Sequence, residues 1–235
     1  IGNLLGGQAD EIFLTSGGSG ADNWVIKGTA LTKYVYGKHI ITSSIEHAAV
    51  TNSMACLEKL GLDVTYLPVD KTGHIDPADL AAAIRPDTIL VSIMGVNNEI
   101  GSIQPHLEIA KILKKYPKIH YHIDAVQGVG KGLKKLIMND RVDFVTVSSH
   151  KFHGPRGVGF MYKRRGRKLA PLIDGGGQEK GLRSGTENLP AIAAMAKALR
   201  LVLTDEPAKV TQQLKIKQYL YEHLAKYPKV TLFSG

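Results

Sequence analysis

The chain has 235 residues, 43% of them hydrophobic and 22% charged, and a formal charge of +9. That length suits one large α/β domain with the start of a second, and no apolar run approaches the ~18 residues that suggest a membrane span. A single cysteine, Cys56, excludes an intrachain disulfide framework and fits a reducing compartment, so a cytoplasmic location is expected.

Ile1 opens the chain without a charged leader, which argues against a signal peptide, and without an initiating Met, which suggests a fragment or a processed chain. The positive charge raises nucleic acid as a partner. Its one dense run, Lys163-Arg164-Arg165-Gly166-Arg167-Lys168, has no interleaved aromatics and follows a strand-like segment. It therefore reads as a solvated turn, and nucleic acid is not expected as a primary partner.

Along the chain, short β-branched runs alternate with helical periodicity. Strands are predicted over residues 11–15, 39–42, 64–67, 88–93, 119–124, 144–147 and 158–162. Several are apolar without clean alternation, as in strands buried on both faces. Helices are predicted over residues 21–33, 48–60, 77–84, 107–116 and 189–203, the third opened by the start signal Asp76-Pro77-Ala78-Asp79. This succession predicts an α/β fold, a mostly parallel mixed sheet flanked by helices. Residues 158–162 follow the preceding strand too closely for a helical crossover, so that strand returns antiparallel. Thr204-Asp205-Glu206-Pro207 breaks the helix before it. Residues 210–227 then read as another helix and 230–233 as the first strand of a small domain. The expected division is residues 1–204 as a large domain and 205–235 as a connecting helix with the beginning of a truncated small C-terminal domain.

In such sheets, ligands collect beyond the carboxyl ends of the strands. Ser148-Ser149-His150-Lys151-Phe152-His153-Gly154-Pro155 lies there. A lysine that forms a Schiff base must be partly desolvated to be nucleophilic near pH 7, and hydroxyls and imidazoles beside it suit an anion. The functional reading is pyridoxal phosphate held by Lys151; the competing one is a strand-to-turn junction with an exposed lysine. Thr15-Ser16-Gly17-Gly18-Ser19-Gly20 leads into a helix whose first N–H groups, with the Ser19 hydroxyl, can cradle a phosphate; a flexible turn is the alternative. His47, in Ser44-Ile45-Glu46-His47, could stack on a cofactor ring or move protons, or be an ordinary surface histidine. Asn97-Asn98-Glu99 offers amides to a ligand or to a turn. In His122-Ile123-Asp124-Ala125-Val126-Gln127, Asp124 is placed to pair with a pyridinium nitrogen and Gln127 to bond a ring hydroxyl. Asp124 could equally cap a helix or bind Mg²⁺, though no second carboxylate lies near it in sequence, and no metal is expected. Gly175-Gly176-Gly177-Gln178-Glu179, then Arg183-Ser184-Gly185-Thr186-Glu187-Asn188, marks a tight loop where Arg183 or Thr186 could reach an anion.

These motifs, in this order, resemble the class V aminotransferase family, and within it the NifS-type cysteine desulfurases. The resemblance covers essentially the whole chain, and the Arg183–Asn188 stretch with the glycines before it is its more specific marker. It implies the large domain of the fold-type I pyridoxal-phosphate enzymes. It also implies that Lys151 binds the cofactor, His47 stacks on the ring, Asp124 pairs with the ring nitrogen and Gln127 bonds the ring hydroxyl. Asn98 would lie near that hydroxyl and the substrate carboxylate. Gly18, Ser19, Ser148 and His150 would hold the phosphate, with Thr186 contributed by the partner subunit of a homodimer. The sequence departs from the family at Gly18-Ser19-Gly20, where Ala-Thr-Glu is common, and at Ser149, where Gly is common; fewer fixed contacts there would loosen cofactor binding.

The implied reaction converts L-cysteine to L-alanine, with Lys151 as general base at the α-carbon. A protein thiolate takes the sulfur as a persulfide for an acceptor protein, as in iron–sulfur cluster assembly. The resemblance places the nucleophilic cysteine and the substrate-carboxylate arginine beyond Gly235. Cys56 sits in a helical pattern that suggests a buried, inert thiol. Another class V enzyme, an aminotransferase or amino-acid lyase, and a non-catalytic dimerisation module are the alternatives.

Overall fold

The computed structural model describes residues 1–233. In chain order the elements are α1 (Gly2–Leu5), β1 (Ile12–Thr15), α2 (Gly18–Lys33), β2 (His39–Ser43), α3 (Ala48–Lys59), β3 (Asp63–Leu67), α4 (Pro77–Ala83) and β4 (Thr88–Met94). They continue with α5 (His106–Leu113), β5 (His120–Asp124), α6 (Lys134–Ile137), β6 (Phe144–Ser148), β7 (Gly159–Lys163), α7 (Leu189–Thr204) and α8 (Glu206–Leu224). The strands form one sheet in the order β1-β7-β6-β5-β4-β2-β3. All pairings from β3 through β6 are parallel, while β7 runs antiparallel to both β6 and β1. The mixed, mostly parallel sheet expected from the sequence is therefore present, with its antiparallel return in the expected place.

Strand side chains alternate between two apolar layers. Ile41, Val91, Tyr121 and Val145 pack with Ile109 and Leu113 of α5 and Met195 and Leu199 of α7. Their neighbours Ile40 and Leu90 face Ile26 of α2 and Val50 and Met54 of α3, while Phe144 joins Trp24 and Val25 of α2. Both faces are covered, so β2, β4, β5 and β6 are buried along their whole length. The strand ends are consequently the accessible parts of the central sheet.

Three expectations need correction. The basic run is not a solvated turn. Arg164 and Arg167 reach the fully buried carboxylate of Asp143 at 3.7 and 2.7 Å, and Arg141 joins them at 2.8 Å. Much of the charge there compensates an interior anion instead of facing water; Arg165, paired with Asp10, and Lys168 are exposed as expected. Cys56 is exposed, because Val50, Ser53, Met54 and Leu57 form the buried stripe of α3 and leave Cys56 on the other side. Residues 230–233 form no strand. The break at Asp205 is present, since α7 ends at Thr204 and α8 starts at Glu206 with Pro207 in its first turn. No described residue of α8 is buried.

Candidate functional site

A pocket of about 280 Å³ opens at the carboxyl ends of β4, β5 and β6, facing the first turns of α2 and α3. Gly18, Ser19, His47, Asn98, Asp124, Gln127, Ser148, His150 and Lys151 all line it. Parallel strands end on one side of the sheet, so residues far apart in sequence converge there.

The Thr15–Gly20 loop turns β1 into α2. Gly17 has φ 133°, a backbone state that favours glycine, and its carbonyl accepts from Thr15 Oγ1 at 3.1 Å. This turn sets the first N–H groups of the 16-residue α2 at the pocket wall, where the helix end carries partial positive charge. Opposite, Ser148 Oγ and His150 Nδ1 lie 3.0 Å apart. Helix end, Ser19 hydroxyl, Ser148 hydroxyl and imidazole together make a donor set suited to a phosphate. Ser149, by contrast, is fully buried with an unbonded hydroxyl, and takes no part in the pocket.

Asp124 closes the floor. It is 5% exposed, and burial raises its pKa above the ordinary aspartate value. The Val126 N–H, bonded to Oδ1 at 2.9 Å, and the nearby His47 and Lys151 pull the other way. The expected helix-capping alternative survives only as this local turn, because residues 126–132 are not helical. Among the described residues, no group of three or more His, Cys, Asp or Glu could hold a metal ion.

His47 is exposed and caps α3, with Nδ1 accepting from the Ala49 N–H at 3.1 Å. That bond fixes the ring and leaves Nε2 as the free nitrogen. The two adjacent asparagines divide their work. Asn97 is buried and ties the loop, donating to Ile45 O at 2.9 Å and accepting from the N–H groups of Glu99 and Ile100. Asn98 is exposed and lines the pocket. Lys151 stands on a 3₁₀ turn, Ser149–Phe152, at the rim of the pocket, and the residue is exposed.

Thr186 lies outside the pocket. It lines a separate hollow with Thr15, Ser16, Glu179 and Arg183. Conversely, Asp22 lines the pocket and was not singled out from the sequence. The available signal was its spacing: four residues after Gly18 on one helix places both on the same face.

Pyridoxal phosphate fits these residues by the chemistry of the donors. A primary amine stands at the rim, a carboxyl lies at the floor beneath an imidazole, and hydroxyls and helix N–H groups gather at one end.

The family model for class-V aminotransferases matches residues 1–235. A NifS/IcsS protein homolog from Lactobacillus delbrueckii subsp. bulgaricus is 59% identical over 234 residues, which is 100% of this chain and 61% of the relative. A cysteine desulfurase IscS from Dictyoglomus turgidum is 46% identical over 226 residues, covering 96% of this chain and 57% of the relative. Among solved structures, a NifS-like protein superposes with a TM-score of 0.89 at 41% identity, covering 95% of this chain and 61% of that one. The chain thus spans about 60% of the length of these relatives. Its sheet order, pocket and sequence agree on one assignment: the chain belongs to the class-V aminotransferase family.

Proposed function

We propose that this chain binds pyridoxal phosphate through Lys151 and forms the cofactor-holding part of a cysteine desulfurase. The observation that carries the reading is the convergence of Lys151, Asp124, His47 and the Ser19–Ser148 end on one pocket. When bound, the cofactor supplies an aldehyde that condenses with amines and a ring that accepts electrons. Gly18, Ser19, Ser148 and His150 bind its phosphate. Asp124 holds a negative charge against the ring nitrogen, and Gln127 donates to the ring hydroxyl. His47 covers one ring face and excludes water from it. Asn98 orients the substrate carboxylate, and the Lys151 amine moves the proton at the substrate α-carbon.

The sulfur-accepting thiol is not Cys56. Cys56 lies about 12 Å along α3 from the helix end that meets the pocket, at 1.5 Å per residue. The proposal therefore places that thiol, and transfer to an acceptor protein, outside these residues. Thr186 serves the pocket of a second copy in a homodimer, since it does not face the pocket of its own chain. Residues 1–204 act as the cofactor-binding domain and 205–235 lead into a smaller one. The single cysteine favours a cytoplasmic setting. No helix among the described residues is long and apolar enough to cross a membrane.

Mixing the chain with pyridoxal phosphate should produce visible absorbance, and borohydride should fix the cofactor on the Lys151 peptide. No absorbance, or fixation undiminished in Lys151→Ala, would remove the cofactor reading. Supplied with cysteine, a protein that carries these residues together with the sulfur-accepting thiol should release alanine; a keto acid instead would favour an aminotransferase.

A further inference from the structure

A chain of hydrogen bonds runs from Ser92 through His122 and Thr146 to Asp22. Thr146 Oγ1 donates to Asp22 Oδ1 at 2.5 Å. Thr146 Oγ1 also lies 3.3 Å from His122 Nε2. The other ring nitrogen, Nδ1, lies 2.8 Å from Ser92 Oγ. His122 is fully buried, and desolvation lowers its pKa to about 3, so it is neutral. The imidazole 3.7 Å from Asp22 is a dipole and supplies no counter-charge.

Asp22 is itself 1% exposed, and among the described residues no lysine or arginine pairs with it. The titratable groups that face it are Asp124 and His122 from β5 and Glu46 from the turn before α3. Two of those three are carboxyls. Asp124 is better served, with the Val126 N–H on Oδ1 and the His47 and Lys151 side chains nearby. The two aspartates are close neighbours in the fold: Thr146, which bonds Asp22, stands opposite Asp124 in the β5–β6 register, and both aspartates line the pocket. Two carboxyls sharing a dry site do not both ionise, and the one with donors and cations around it takes the charge.

We propose that Asp22 is a positioning residue that keeps the proton of this carboxyl pair, so that Asp124 alone presents a negative charge to the cofactor's ring nitrogen. The inference rests on the cofactor reading above for its purpose, but the position of the proton is a property of the cofactor-free chain. A neutral Asp22 needs no counter-ion, and it removes the repulsion that a second carboxylate would impose on Asp124. It also makes Asp22→Asn a close mimic of the native state.

Infrared spectra of the cofactor-free chain at pH 7 test this directly. The stretch of a protonated carboxyl should be present, and Asp22→Asn should remove part of its intensity, with Glu46→Gln removing a separate part. Unchanged intensity in Asp22→Asn would overturn the proposal. If Asp22→Asn does not fold, the ¹³C shift of the Asp22 carboxyl in the unaltered chain distinguishes acid from carboxylate, and a carboxylate shift at pH 7 is the overturning result. In the cofactor-loaded protein, the pH midpoint of the visible absorbance should move by no more than about 0.3 unit in Asp22→Asn, whereas loss of an ionised carboxylate would lower it by about a unit or more. Failure of borohydride trapping with the infrared result intact would sink the cofactor reading and leave the proton on Asp22.

Discussion

Gly18 and Val126 approach so closely that a Cβ on the glycine would stand 2.7 Å from the valine Cγ2. The pair joins the α2 end of the pocket, where the proposal puts the cofactor phosphate, to the turn after Asp124. Gly18→Ala should therefore push the loop and helix end apart, costing about 1–3 kcal/mol as overpacking does. Cofactor affinity should fall with it. Adding Val126→Ala should recover most of both losses, since it removes the opposing methyl. Urea unfolding and cofactor titration of the two single variants and the double variant test this, and additive losses would show that the contact is not the cause.

How much of this was legible beforehand depended on the range of the interaction. Strands such as Ile40-Ile41 and Leu90-Val91 are apolar at consecutive positions because both sheet faces are covered, and that pattern survives in one dimension. Site residues at strand ends followed from the topology, so His47, Asn98, Asp124 and Lys151 could be collected without coordinates. Asp22 offered only its helical spacing from Gly18, because the role proposed for it comes from Thr146 and Asp124, on strands far along the chain. The Asp143 cluster was hidden for the same reason: Arg164 and Arg167 look solvated until β7 sets them beside an aspartate some twenty residues earlier. Cys56 was misjudged on helix phase. Ser53 lies in the buried stripe of α3, and a polar residue there blurs the apolar periodicity that would have put Cys56 outside.

Asp143 is a fully buried charge held by several donors. It takes the Arg141 and Arg167 contacts and accepts from the Tyr121 N–H at 2.9 Å. Asp143→Asn removes the anion and leaves the guanidinium groups of Arg141, Arg164 and Arg167 without their shared counter-charge. Breaking a buried pair from one side costs about 3–5 kcal/mol, and the loss should persist in high salt because Arg141 is itself buried. Arg165→Ala breaks an exposed pair with Asp10 and should barely change the urea midpoint. Equal effects of the two variants would contradict the burial argument.

Glu46 predicts a pH dependence with a definite sign. Burial pushes its pKa to about 8, against the bonds from Ser43 Oγ and the Met94 N–H. In the unfolded chain, glutamate loses its proton near 4.5. Between those values the folded state holds one proton more, so stability falls as pH rises through that window and levels off above it. Glu46→Gln cannot ionise and escapes the fall. Its stability relative to the unaltered chain should improve by a few kcal/mol, on the order of 1.4 for each pH unit crossed. The comparison must be relative, because neutral buried His106, His120 and His122 destabilise every variant as pH drops below about 6.5. Parallel urea-stability curves from pH 5 to pH 8 would show that Glu46 is ionised in the folded chain.

The exposed position of Cys56 separates a reactive thiol from a functional one. Its side chain lies outside the apolar stripe of α3, so a disulfide reagent should modify it in the folded chain without denaturant. The helix end that meets the pocket is about 12 Å away, beyond the reach of a side chain attached to a regular helix. Cys56→Ser should therefore abolish labelling while leaving stability, cofactor absorbance and Lys151 trapping unchanged. If the native thiol resists the reagent, the packing of α3 is wrong. If Cys56→Ser instead stops persulfide formation from cysteine while the fold is intact, the thiol does reach the substrate, and the assignment of sulfur transfer to a group outside these residues fails.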